Sequence, residues 1–223
     1  MHYIDGEWVQ PDAGRYDVIN PATGKVIAAA PDASPTQVQT AIEAARRAFD
    51  SGPWSTAEPS ERARCLRQLS SALLDASSET FELAQAEWGC TANERLIQVD
   101  GPAFMAGRAA ELALEPAEAP MDAWGAGGTT LLRYEPVGVV AAMTPWNFPH
   151  TLNVMKLGTA LAAGNTLVLK PSPLTPLAGL ALARIIDEHT DIPPGVVNVV
   201  TPSGVEASRL LTLDPRVDMV SFT

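Results

Sequence analysis

From Val137 to the end of the chain, short apolar blocks alternate with segments whose apolar residues recur at helical spacing. The blocks are 137–143, Thr166-Leu167-Val168-Leu169, 196–200 and 217–222. Helical patterns separate them: 150–163, closed by Gly164; a run after Thr175 with Leu177, Leu180, Ala181 and Ile185 on one face; and a run from Gly204 to about Leu213. Four β-rich runs separated by helices predict a parallel sheet with right-handed crossovers, a doubly wound α/β arrangement. Thr175 is the expected N-cap of its helix, with Pro176 at the first position.

The first half is less regular. Asp5-Gly6 between His2-Tyr3-Ile4 and Glu7-Trp8-Val9 predicts a hairpin, and Asn20 to Gly24 a turn into a short strand at 25–28. A helix opens at Ser34, where Gln37 completes the sequence of a capping box, and Val38, Ala41, Ile42, Ala45 and Phe49 share a face up to Gly52-Pro53. A second helix starts near Ser60 with the stripe Leu66, Leu69, Leu73 and Leu74. A third runs from about Ser77 to Trp88 with Gly89 at C′, and a fourth from about Pro102 to Leu114. Residues 115–128 read as an exposed connection, and 129–134 as a strand at an edge or interface.

Composition narrows the function. The 223 residues are enough for a substantial core, and 46% hydrophobic with 18% charged residues describes a globular protein. A net charge of −11 argues against nucleic acid or an anionic membrane surface as partner. No apolar run reaches the ~20 residues of a membrane span. The first residues have neither a basic n-region nor an apolar h-region, so the expected location is the cytoplasm. His2, His150 and His189 are scattered and suggest no metal site; Cys65 and Cys90 have no identifiable paired base and are read as non-catalytic.

The chemistry-bearing stretch is Thr144-Pro145-Trp146-Asn147-Phe148-Pro149, between a strand and a helix of the regular half. Loops at the carboxyl ends of parallel strands open into the ligand crevice of such sheets. Two prolines hold the residues between them rigidly, and an Asn held so can present its amide to a developing negative charge. The alternative is a two-proline turn in which Trp146 and Phe148 fill core and Asn147 caps the helix; on these six residues alone it is the favoured one. Lys170 ends the next strand. It is either a solvated lysine or a cation at the ligand edge, placed to meet a ribose hydroxyl or a 2′-phosphate. Neither G-x-G-x-x-G nor a P-loop is present.

Taken together, Glu135-Pro136-Val137-Gly138-Val139-Val140, the Thr144–Pro149 stretch, Lys156-Leu157, 160–165, Leu169-Lys170-Pro171-Ser172, 193–198 and Val220-Ser221-Phe222-Thr223 occur in order. The chain resembles the NAD(P)-dependent aldehyde dehydrogenase superfamily over essentially its whole length. The resemblance implies a Rossmann-like parallel sheet with flanking helices, binding a dinucleotide without the usual glycine fingerprint. It implies an N-terminal helical part of the cofactor-binding domain at 1–119, an oligomerisation arm at 120–136 and a dinucleotide-binding core at 137–223. It also implies oxidation of an aldehyde with NAD, or NADP, and a homo-oligomer at full length. Asn147 matches the oxyanion-stabilising residue and Lys156 a helix lysine near the active site. Thr144, Pro145, Trp146, Lys170, Ser172 and Gly204 match cofactor-binding positions, Lys170 at the adenosine ribose.

Two departures stand out. Many relatives carry Glu three residues after the ribose lysine, where this chain has Pro173; NAD remains the expected cofactor. The general base, the nucleophilic Cys and the catalytic domain have no counterpart in these residues, so the sequence resembles the N-terminal half of such an enzyme. This 223-residue chain is expected to be inactive alone. A different class of reading is a non-catalytic nucleotide-binding or interaction module, a split or degenerate subunit.

Overall fold

A computed structural model describes residues 1–122 and 129–223, so the end of the expected exposed connection, 123–128, lies outside the described residues. The elements in chain order are β1 (His2–Ile4), β2 (Glu7–Val9), β3 (Arg15–Ile19), β4 (Val26–Pro31), α1 (Pro35–Ser51), α2 (Pro59–Asp75), α3 (Ser77–Glu87) and, after a π turn at Leu96–Asp100, α4 (Gly101–Leu112). Then follow β5 (Glu118–Asp122), β6 (Thr129–Arg133), β7 (Val139–Met143), α5 (Pro149–Ala162), β8 (Thr166–Lys170), α6 (Pro176–His189), β9 (Val197–Val199), α7 (Val205–Leu213) and β10 (Met219–Phe222).

The central sheet has the order β10-β7-β8-β9-β1-β2. The four strands of the regular half are mutually parallel; β7, β8 and β9 are buried on both faces, as continuous apolar runs require, while β10 is a largely exposed edge. The N-terminal hairpin, turning through Asp5 and Gly6 at positive φ, adds antiparallel to β9, so the sheet is mixed. Val140, Ala142, Leu167 and Leu169 face one core shared with α2, α4, α5 and α6. Their neighbours Val139, Ala141, Met143 and Val168 face a second core with α1 and α7. Helices therefore cover both faces, and the expected α/β class is the observed one.

Several local expectations are corrected. The strand β3, unpredicted, pairs with β4 as a separate two-stranded sheet. Leu74 is 55% exposed, because the α2 stripe at i, i+3, i+7 is Leu66, Leu69 and Leu73. On α6 the buried residues are Ala178, Leu182, Ile185 and Ile186, while Leu177, Leu180 and Ala181 lie at the margin. At α1, Ser34 accepts from the Gln37 N–H at 3.2 Å, but the Gln37 amide donates instead to Gln10 O at 2.7 Å. The two-sided capping box sits at Thr91 and Glu94.

Thr175 does not cap α6 with its side chain, and its Oγ1 is buried without a partner. Glu87, the last residue of α3, does the capping. Its two carboxylate oxygens accept from the N–H groups of Leu177 at 2.5 Å and Ala178 at 3.0 Å.

Candidate functional site

The ladder of β7 against β8 ends with Met143 opposite Lys170, and Phe222 of β10 stands opposite Met143 from the other side. Three parallel strands thus finish level, and their following segments emerge on one side of the sheet. Thr144 N–H extends the ladder by donating to Lys170 O at 3.1 Å. The Thr144 hydroxyl donates to Asn153 Oδ1 at 2.6 Å, both residues being buried. This ties the base of the two-proline turn to the second turn of α5. His150, one residue into α5, is 1% exposed with neither ring nitrogen hydrogen-bonded, and burial pushes it down to about 4.

On this base the turn itself points outward. Trp146 is 57% exposed, Phe148 is 36% exposed and Asn147 is exposed with no side-chain hydrogen bond among the described residues. The N-cap of α5 is Phe148, with no side-chain cap. The core-filling, helix-capping alternative is therefore overturned: the backbone fixed by Pro145 and Pro149 leaves the amide uncommitted. An uncommitted amide at a sheet's carboxyl edge is what an oxyanion donor requires.

Beside this turn a cleft of about 410 Å³ opens, lined among others by Thr144, Lys170, Pro173, Gly204, Arg209 and Phe222. Of the residues singled out from sequence, it brings together Thr144, Lys170 and Gly204. Pro145, Trp146 and Asn147 stand outside its lining. Ser172 also stands outside: it is nearly buried, its hydroxyl accepts from Leu174 N–H at 3.2 Å, and it shapes the turn into α6. Lys156 lies behind, buried on α5, where its ammonium donates to Ser221 Oγ of β10 at 2.9 Å. The Lys170 ammonium donates to Pro171 O at 3.2 Å, and burial holds both lysines below their ordinary range. A Cβ at Gly179 would approach Pro171 Cγ to 2.8 Å, so the missing side chain lets the Lys170–Ser172 segment rest on the first turns of α6.

Neither thiol belongs to this site. Cys65 is buried in the larger core and Cys90 in a small cluster with Ala84 and Val99. Burial pushes both thiols up, opposite to the shift a nucleophilic thiolate needs. Sequence reasoning missed the capping role of Glu87 and the place of Arg209 in the cleft wall. For Glu87 a signal existed: Thr80, Ala84 and Glu87 at i, i+4, i+7 form the buried stripe of α3, and an acid on such a stripe demands a partner.

A mixed α/β sheet wound on both faces, with a cleft at the carboxyl ends of its parallel strands, defines the class of fold. The profile of the aldehyde dehydrogenase family matches residues 8–223, and the chain belongs to that family. It is 38% identical over 222 residues to the 3-succinoylsemialdehyde-pyridine dehydrogenase of a Pseudomonas species, covering 99% of this chain and 45% of that one. The crystal structure of the NAD-dependent aldehyde dehydrogenase from Sinorhizobium meliloti superposes with a TM-score of 0.92 at 34% identity, covering 100% of this chain and 44% of the other. Betaine aldehyde dehydrogenase from Staphylococcus aureus in complex with NAD+ superposes equally, at 0.92 and 32% identity, covering 99% of this chain and 44% of that one. The chain spans about 45% of the length of the curated relative.

Proposed function

We propose that these residues supply the dinucleotide cleft and the oxyanion-binding amide of an aldehyde dehydrogenase working with NAD. The observation that carries the reading is the free Asn147 amide beside the cleft holding Lys170. Bound in that cleft, the dinucleotide supplies a hydride acceptor. Lys170 donates to a hydroxyl of the adenosine ribose, and Thr144 and Gly204 shape the adjoining walls. Asn147 donates its Nδ2–H to the aldehyde oxygen, whose negative charge grows as a nucleophile adds to the carbonyl carbon. Lys156 acts at one remove, fixing β10 through Ser221. Pro145, Trp146 and Ser172 set the backbone of the two turns.

The β1–β2 hairpin shares the sheet with β7–β10, which supports reading 1–119 and 137–223 as one cofactor-binding unit. The β5–β6 hairpin forms its own two-stranded sheet, with Leu131 and Tyr134 exposed. This supports 120–136 as an oligomerisation arm, in a homo-oligomer of the cytoplasm. Among the described residues no helix is long and apolar enough to cross a membrane.

Titration of the 223-residue chain with NAD tests the reading. Saturable binding is expected, weakened about tenfold by Lys170→Ala, the worth of one charge-assisted hydrogen bond. The same preparation should oxidise no aldehyde, since both of its thiols are buried and raised. Binding indifferent to Lys170, or NADH formed from an added aldehyde, would overturn these assignments.

A further inference from the structure

One wall of the cleft is the irregular segment 201–204 between β9 and α7, with Pro202, Ser203 and Gly204 in the lining. Of its N–H groups only that of Ser203 has an acceptor among the described residues, and that acceptor is a side chain. Asp32, the half-buried residue after β4, supplies it. Its Oδ1 accepts from Ser203 N–H at 2.8 Å and its Oδ2 from the Ser203 hydroxyl at 2.5 Å. Thr201, 1% exposed, adds a third bond to the same place, its hydroxyl donating to Pro31 O at 2.7 Å. Asp32 is itself fixed to the start of β3. Its N–H donates to Gly14 O at 2.9 Å, one step beyond the Arg15–Pro31 pair that ends the β3–β4 ladder. The helix beyond the wall offers no alternative anchor, since Gly204 is the N-cap of α7 and no side chain caps it. Asp32 does not line the cleft.

We propose that Asp32 is a positioning residue for the dinucleotide. The β3–β4 ribbon, a sheet separate from the central one, braces the 202–204 wall in its ligand-ready shape through the two-pronged bond to Ser203. This rests on the reading of the cleft as the dinucleotide site. A segment without backbone partners keeps one conformation only where something outside it supplies the bonds; without them, ordering it costs affinity when the ligand binds. The charge of Asp32 acts in the opposite direction to its geometry. A carboxylate near the cleft repels an anionic pyrophosphate, so its removal on electrostatic grounds alone tightens binding. Loss of the brace frees the wall and weakens binding. Salt screens the first effect and not the second, so the sign of the change at moderate salt separates them.

The test is calorimetric titration of the 223-residue chain with NAD at about 0.15 M salt. Asp32→Ala should weaken binding about five- to tenfold, the loss of a charge-assisted pair of bonds. Asp32→Asn keeps an acceptor for the Ser203 N–H and a donor for its Oγ, and should bind NAD as well as the wild type or better. Asp12→Ala is the control: its carboxylate, just before β3, accepts from the Ser34 hydroxyl at 2.8 Å and does not touch 201–204. That variant should change NAD affinity less than about twofold even where it lowers the melting temperature as much as Asp32→Ala does. Ser203→Ala, which removes one prong, should weaken binding about two- to threefold, and should add nothing to Asp32→Ala. Unchanged or tighter binding by Asp32→Ala, or an equal loss in Asp12→Ala, overturns the brace and leaves the cleft assignment standing. Should Asp32→Ala fail to fold, Ser203→Ala decides, and an unchanged affinity there overturns the brace. Absence of NAD binding by the wild type sinks the cleft assignment and the brace with it.

Discussion

Replacing Glu87 with alanine lowers the stability of the protein by about 2–4 kcal/mol, because two buried N–H groups at the start of α6 lose their acceptor together. The carboxylate is 2% exposed and is the side-chain cap of that helix, whose own first turn contains no acid. Burial pushes the Glu87 carboxyl up to about 8 from an ordinary 4.5, while the two N–H donors hold it down. The folded protein therefore keeps a proton that the unfolded chain has released between those values. The stability this group contributes is complete below about pH 4.5 and is lost as pH rises through about 8. Glu87→Gln cannot titrate, so the wild type should lose stability relative to it by on the order of 1 kcal/mol per pH unit between pH 5 and 8. Urea melts of both proteins at pH 5, 7 and 9 measure this, and parallel curves would show that folding does not raise the carboxyl. The consequence reaches the cleft, since α6 carries the segment holding Lys170 through the Pro171–Gly179 contact.

Glu87 also marks where sequence stops being informative. The strands β7, β8 and β9 were legible because strands buried on both faces are written as apolar runs between Gly and Pro punctuation, and β10, a largely exposed edge, from its short β-prone run. Their order, and the hairpin β1–β2 extending the same sheet, were not, because pairing partners leave no local trace. Thr175 has the composition of an N-cap, but a residue nearly ninety positions away took the role, a tertiary contact overriding a local preference. For Asn147 the local reading favoured a helix cap between core-filling aromatics, and the structure shows neither. Aromatic residues beside prolines suggest core, yet Trp146 and Phe148 stand outward because Thr144 and Asn153, not the aromatics, anchor the turn. That Arg209 lines the same cleft as Lys170 is visible only once the fold brings α7 there.

Gly138→Ala should be the most disruptive single-methyl change in the sheet, costing about 3–5 kcal/mol. Gly138 enters β7 at a φ of +129°, which an L side chain adopts only with strain, and a Cβ there falls on the carboxylate of Asp218. That carboxylate cannot retreat without loss. It accepts from Val139 N–H and from Arg46 Nη1, each at 2.7 Å, while the Asp218 N–H donates to Val139 O at 3.0 Å. Gly138 is held from the other side, its N–H donating to Asn165 Oδ1 at 3.0 Å and its carbonyl accepting from Thr166 N–H at 3.2 Å. The clash must therefore loosen β10 from β7, and with it the Ser221 contact to Lys156 and the Phe222 wall of the cleft. Asp218→Ala removes the obstructing carboxylate, so the double variant should recover about 1–2 kcal/mol of the summed single losses. Thermal melts of the two single variants and the double variant measure that coupling. Strict additivity would mean that β10 does not hold this register against β7.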